Sequence, residues 1–257
     1  MASLVTEPTP RLRHHHSFLG SEGLEAVAEW GFLHLSPIYN GFDVDRGNGE
    51  PVIDIYGFAA PELSTNEISF WATRQGFNSF RSGIGLLNLN CLDESKDKLA
   101  KVIDQACNDT GEAVVLAGHS LGGALALATA KILPPGMVRS VITFCSPMVP
   151  QFRVNPALRI AVEFNRFRLM LTPRRHPACF TPACKCSFLR SITEVGSKLS
   201  FRLVNIAACN DRVVHPDDTI HPNADRVEYI DCTHTGVVWR PEILQILAEE
   251  LPRGRRN

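Results

Sequence analysis

Ser120 stands in Gly118-His119-Ser120-Leu121-Gly122, the residues most able to do chemistry in this chain. The run fits G-x-S-x-G, a pattern in which a serine sits on a sharp strand-to-helix turn with its hydroxyl exposed. The required context is present. An apolar run, Ala113 to Ala117, precedes the serine, and a helical run, Leu121 to Leu133, follows it and stops at Pro134-Pro135. The glycines have a steric reason: larger side chains two residues either side of Ser120 would strike the neighbouring strand and helix. Gly123 lets the helix pack closely. The start of that helix also points unpaired N–H groups at any anion formed there.

A serine hydroxyl is a weak nucleophile alone. It needs a base, and the base needs an orienting acid. In enzymes that carry this motif the chain order is serine, acid, histidine. Asp211, in Asn210-Asp211-Arg212-Val213-Val214, follows the strand-like run Phe201 to Ala208. It therefore falls at a strand's C-terminal edge, where ligands gather in open α/β sheets. Asp217 and Asp218, past Pro216, are its competitors. His234 follows a short strand, Arg226 to Ile230, and lies 23 residues beyond Asp211. His215 and His221 fall inside the intervening loop, and His34, His119 and His176 precede the acid, against the order. Ser120, Asp211 and His234 are thus the expected catalytic residues. An oxyanion hole needs two backbone N–H groups. Leu121, after the serine, supplies one; Phe58, after Gly57 at the end of the first strand, is expected to supply the other.

The elements that must position these residues alternate. Pro51 to Gly57 reads as a strand, Glu62 to Gln75 as a helix stopped by Gly76, and Phe77 to Arg81 as a strand. Asp93 to Cys107 is an amphipathic helix with Leu99, Val102, Ile103 and Ala106 on one face. Val138 to Cys145 is another apolar strand, and Glu242 to Leu251 a closing helix. This rhythm predicts the α/β class: a mostly parallel sheet with helices on both faces. Residues 1–20 read as a flexible arm, 21–149 and 201–257 as the core, and 150–200 as an insertion capping the site. The adjacent histidines His14–His16 cannot converge on one metal ion.

The chain has 257 residues, 44% hydrophobic and 21% charged, with a formal net charge of −1. That excludes collagen, low-complexity disorder and a small disulfide knot, and argues against nucleic acid as a partner. Ala113 to Ala130 is uncharged and long enough to span a membrane, but its central His119, Ser120 and glycines fit a buried strand–turn–helix better. With no signal peptide visible, a cytoplasmic location and reduced thiols are expected. Cys91, Cys107, Cys145, Cys209 and Cys232 read as small core residues.

The insertion is distinct in charge. Pro150 to Ser200 holds nine Lys/Arg and two acids, net +7, in a body of net −8. It is expected either to be a solvated face or to meet an anionic ligand or membrane surface. Within it, Ala157, Ile160, Ala161, Phe164, Phe167 and Leu171 fall at helical spacing. Two readings stand: a cap helix packed over the site, or an interfacial lid. His176, Cys179, Cys184 and Cys186 leave structural zinc, a Cys179–Cys184 disulfide and free thiols all open.

The chain resembles an α/β-hydrolase of the esterase/lipase type over about Val52 to Leu251. The similarity is carried by IYGF, the Gly85–Asn90 run, AGHSLGGALA, VRSVITFCSP, NDRVVHP and HTGVV. It is especially similar to bacterial lipase-like hydrolases with these pieces in this order. The resemblance implies the same roles for Ser120, Asp211 and His234, no cofactor, and a small-molecule or lipid ester as substrate. Tyr56 departs from the family, where many members have histidine before the glycine. An acyl-CoA thioesterase or acyltransferase is the alternative among enzymes, and a non-catalytic binding protein of the same fold the alternative outside them. Oligomeric state is left open.

Overall fold

Parallel strands that lie inside a sheet bury both faces, so their side chains leave alternately for two cores. In β1 (Pro51–Ile55) Val52 joins one core while Ile53 and Ile55 join the other. In β3 (Val114–His119) Leu116 opposes Val115 and Ala117 in the same way. The computed structural model describes residues 19–148, 156–171, 186–194, 196 and 198–251. Its sheet has six strands in the order β2-β1-β3-β4-β5-β6, every pair parallel. The remaining strands are β2 (Asn78–Arg81), β4 (Val138–Phe144), β5 (Arg202–Ala208) and β6 (Arg226–Ile230). The mostly parallel α/β architecture expected from the sequence is the one observed.

One face carries α3 (Leu92–Thr110), α4 (Leu121–Ala130) and α6 (Ser187–Thr193), whose Leu99, Ile103, Leu125 and Phe188 pack on Ile53, Leu116 and Leu203. The other carries α1 (Leu19–Leu35), α2 (Asn66–Arg74) and α7 (Pro241–Glu250), whose Leu33, Trp71 and Leu247 pack on Val115, Phe144 and Ile206. All ten residues of α4 are buried, so this helix is apolar all round. α3 ends where the sequence places a glycine: Gly111 adopts φ 71° and its N–H closes on the Cys107 carbonyl at 2.8 Å. Most predicted boundaries fall within a few residues of the observed ones. α1 has no counterpart in the sequence reading.

α5 (Pro156–Met170) forms where the apolar spacing predicts a helix, but its orientation corrects the packed-cap expectation. Ile160, Phe164, Phe167 and Leu171 are 73, 72, 56 and 72% exposed. The buried side is Asn165 and Leu169. The Leu89 carbonyl explains this, because it accepts from Asn165 Nδ2 at 3.2 Å and from Arg168. A loop carbonyl under a helix needs donors, and these two polar residues provide them. Residues 1–18 of the expected arm, and His176, Cys179 and Cys184, lie outside the described residues; Cys186 is half-buried. Among the described residues, no helix is long and apolar enough to cross a membrane.

Candidate active site

Because all strands are parallel, the C-terminal ends of β3, β5 and β6 fall on one edge of the sheet. His119 pairs with Phe144, Phe144 with Ile206, and Ala208 with Ile230, so those ends are nearly level. Ser120 follows β3, Asp211 follows β5 and His234 follows β6. Topology alone therefore gathers residues distant in sequence.

Ser120 has φ 52° and ψ −126°, a conformation that a residue with a side chain rarely takes. Such strain costs about 1–3 kcal/mol and persists only where its surroundings enforce it. Here the Ser120 N–H donates to the Phe144 carbonyl at 2.8 Å, and the Ser120 carbonyl accepts from Gly123 N–H at 3.1 Å. The glycines supply the room. A Cβ on Gly118 would overlap the Gly123 backbone, and one on Gly122 would overlap the Ile55 carbonyl. A Cβ on Gly123 would overlap the Ser146 hydroxyl. These are mostly rigid backbone neighbours, so the turn closes only with glycine.

The loop after β1 comes to the serine from the other side. A Cβ on Gly57 would lie 3.0 Å from Ser120 Cβ and 3.4 Å from His119 Nδ1. Phe58 follows Gly57 in this loop, and Leu121 opens α4 directly after Ser120. Asn88 ties this loop down: its Nδ2 donates to the Tyr56 carbonyl at 2.9 Å from a strained φ of 44°. Tyr56 itself is fully buried, and burial pushes its phenol up to about 12. Asn88 lies within the Gly85–Asn90 run, and its part shows only in the fold, where it reaches Tyr56, 32 residues away.

His234 Nδ1 lies 2.7 Å from Asp211 Oδ2. The other Asp211 oxygen accepts the N–H groups of Val213 and Val214, both at 2.8 Å. Its carboxylate is fully buried and so is held by three bonds. The competitors turn elsewhere. His215 Nδ1 accepts the Asp217 N–H at 3.3 Å, and His221 Nδ1 accepts the Asn223 N–H at 3.1 Å. Ser120 and His234 are linked through the residue between them: His119 Nε2 is 2.9 Å from the His234 carbonyl oxygen, and the two rings are 4.9 Å apart.

Cys145 is a further member that the sequence reading assigned to the core. It follows β4 at φ 51°, and its Sγ lies within 4.8 Å of ligand atoms of both Asp211 and His234. Burial, with Asp211 next in effect, raises its thiol well above the ordinary cysteine range, so it is an S–H group facing a carboxylate. Its place at a strand's C-terminal end, between the strands bearing Ser120 and Asp211, was the available signal. A thiol, a carboxylate and an imidazole are also a metal-donor set. Here the 2.7 Å separation of Nδ1 and Oδ2 is that of a hydrogen bond, which an ion between them would have to break.

Chemically, the arrangement offers a hydroxyl on a strained turn at a helix start and an imidazole oriented by a buried carboxylate. Comparison with solved structures places the fold among known hydrolases. One relative is a monoacylglycerol lipase from Paleococcus ferrophilus (TM-score 0.54, 14% identity, 80% of this chain and 98% of that one). A second is a putative aryl esterase from Burkholderia cenocepacia (TM-score 0.53, 18% identity, 80% and 91%). A third belongs to the metagenome-derived lipolytic enzymes LipS and LipT (TM-score 0.55, 12% identity, 80% and 95%). No curated protein sequence matches the chain. The family model described as "Alpha/beta hydrolase family" matches residues 52–243, about three quarters of the chain and all three expected catalytic residues, so this protein belongs to the alpha/beta hydrolase family.

Proposed function

We propose that this chain is a serine hydrolase that cleaves carboxylic esters through an acyl-enzyme. The observation that carries the reading is the strained Ser120 turn at the head of α4, on the same sheet edge as the 2.7 Å His234–Asp211 pair. His234 takes the Ser120 proton as the oxygen attacks the ester carbonyl carbon. The carbonyl oxygen becomes an oxyanion held by the N–H groups of Leu121 and Phe58. Asp211 keeps the imidazole in the tautomer whose Nε2 can act as base and stabilises the imidazolium. The tetrahedral intermediate collapses, His234 returns its proton to the leaving alkoxide, and an alcohol departs. Water then repeats the sequence at the acyl-serine and releases the acid. The lipase and esterase activities named for the structural relatives support this choice of substrate class.

Ser120→Ala is expected to lower p-nitrophenyl ester turnover by about 10⁴-fold or more. It should also abolish labelling by a fluorophosphonate probe while leaving the circular dichroism spectrum unchanged. Undiminished turnover in this variant refutes the proposal.

A further inference from the structure

α1 reaches two loops at once. Glu25 and Glu29 are one helical turn apart, so their side chains leave the same face. Glu25 Oε1 lies 3.3 Å from both Nη1 and Nη2 of Arg212, the residue after Asp211. Glu29 grips the other loop. Its two carboxylate oxygens accept the N–H and the hydroxyl of Thr233, at 3.1 and 2.9 Å. Thr233 is the residue before His234, and its Oγ1 accepts the Gly236 N–H at 3.0 Å. One carboxylate thus organises the turn that carries His234. A Cβ on Gly236 would overlap that carboxylate, so the loop is shaped around it.

Glu29 is buried, and burial raises its carboxyl above the usual range, against the opposing effect of the Thr233 bonds. Placing a carboxyl under a loop is costly when an apolar side chain could fill the space. What an apolar side chain cannot do is accept the Thr233 amide. α1 precedes residue 52, where the family match begins, so Glu25 and Glu29 lie outside the matched span while Arg212 and Thr233 lie within it.

We propose that Glu29 is a positioning residue for His234, setting the Thr233–Gly236 turn so that the imidazole meets Asp211. The Glu25–Arg212 pair holds the Asp211 loop from the same helix. The proposal rests on the hydrolase reading above. Glu29 touches none of the reacting atoms and acts only through Thr233.

The test uses the full chain with Glu29→Ala, Glu29→Gln, Thr233→Val and Thr233→Ser. One readout is p-nitrophenyl butyrate hydrolysis. The other is the downfield NMR signal of the His234 Nδ1 proton, assigned by its loss in Asp211→Ala, which needs no turnover. Glu29→Ala is expected to lower kcat by about 10–100-fold and to shift or broaden that signal. KM should stay within about twofold. Thr233→Val should act in the same direction, Thr233→Ser should restore both readouts, and Glu29→Gln should fall between. The double variant Glu29→Ala/Thr233→Val should be no worse than Glu29→Ala alone. If Glu29→Ala does not fold, Glu29→Gln and Thr233→Val decide the matter. Wild-type kcat with an unmoved proton signal overturns the proposal, as does a change confined to KM or to thermal stability. A wild-type protein that cleaves no ester, with a signal that still moves in Glu29→Ala, overturns the hydrolase reading and leaves the positioning role standing.

Discussion

His119 Nε2 donates to the carbonyl oxygen of His234 across 2.9 Å. A carbonyl only accepts, so the proton sits on Nε2 and Nδ1, turned toward Gly57, is bare. The residue beside the expected nucleophile therefore latches the loop that carries the expected base. Two segments 115 residues apart in sequence are joined at the point where their geometry matters most.

That latch makes a pH prediction. Burial, then the nearby His234, pushes His119 down from 6.5 to about 3. Between those values the unfolded chain binds the proton and the native protein does not, so stability falls as pH falls. This contribution is fully present above pH 6.5 and is lost progressively toward pH 3. By pH 4.5 the loss is about 2–3 kcal/mol. His119→Gln keeps an amide donor but cannot titrate. Urea midpoints at pH 7 and pH 4.5 should show a smaller acid loss in the variant by that amount, and an equal loss in both proteins would contradict the assignment.

The glycines around Ser120 separate stability from activity. Gly123→Ala drives a methyl into Ser146 Oγ and to 2.7 Å from the Gly118 carbonyl. Overpacking of this kind should cost about 1–3 kcal/mol or more in chemical denaturation. Gly57→Ala comes to 3.0 Å from Ser120 Cβ and 3.4–3.5 Å from His119, which a small loop shift relieves. Its Tm should hardly move, while kcat for an ester falls about 10-fold or more if the shift displaces Phe58, the proposed oxyanion donor. Equal effects of the two variants on stability would refute this contrast.

Cys145 should be chemically silent in the native protein. Its thiol is fully buried and held protonated, whereas the thiolate is the nucleophile. Iodoacetamide at pH 8 is expected to modify Cys145 only after denaturant is added, as read by peptide mass spectrometry. Rapid native alkylation at this residue would show that the thiol beside Asp211 is open to solvent.

The orientation of α5 is tested by two neighbours on opposite sides. Leu169 is buried within the hydrophobic core, so Leu169→Ala should cost about 2–5 kcal/mol. Phe164 is exposed, so Phe164→Ser should change stability by no more than about 0.5 kcal/mol. Thermal denaturation distinguishes the two, and a large loss in Phe164→Ser would mean that this face is covered.

The turn that carries Ser120 and the strands before Asp211 and His234 were legible along the chain because their signals are local. The elbow glycines answer steric demands within a few residues; the strand before Asp211 announces itself by an apolar run, and the shorter one before His234 by alternation of charged and apolar residues. A parallel sheet then places all three strand ends on one edge, so chain order translates into proximity. α1 was illegible for the opposite reason. Val27, Phe32 and Leu35 are exposed while Leu33 is buried, so no single apolar stripe marks it as a helix. The value of Glu29 rests on Thr233, 204 residues away, and no pattern within either segment records that bond. Cys145 looked like any small core residue until folding set it against Asp211. In α5 the spacing told which residues share a face, but periodicity is indifferent to direction. Which face turned inward was decided by the Leu89 carbonyl, a backbone acceptor that exists at that place only once the chain has folded.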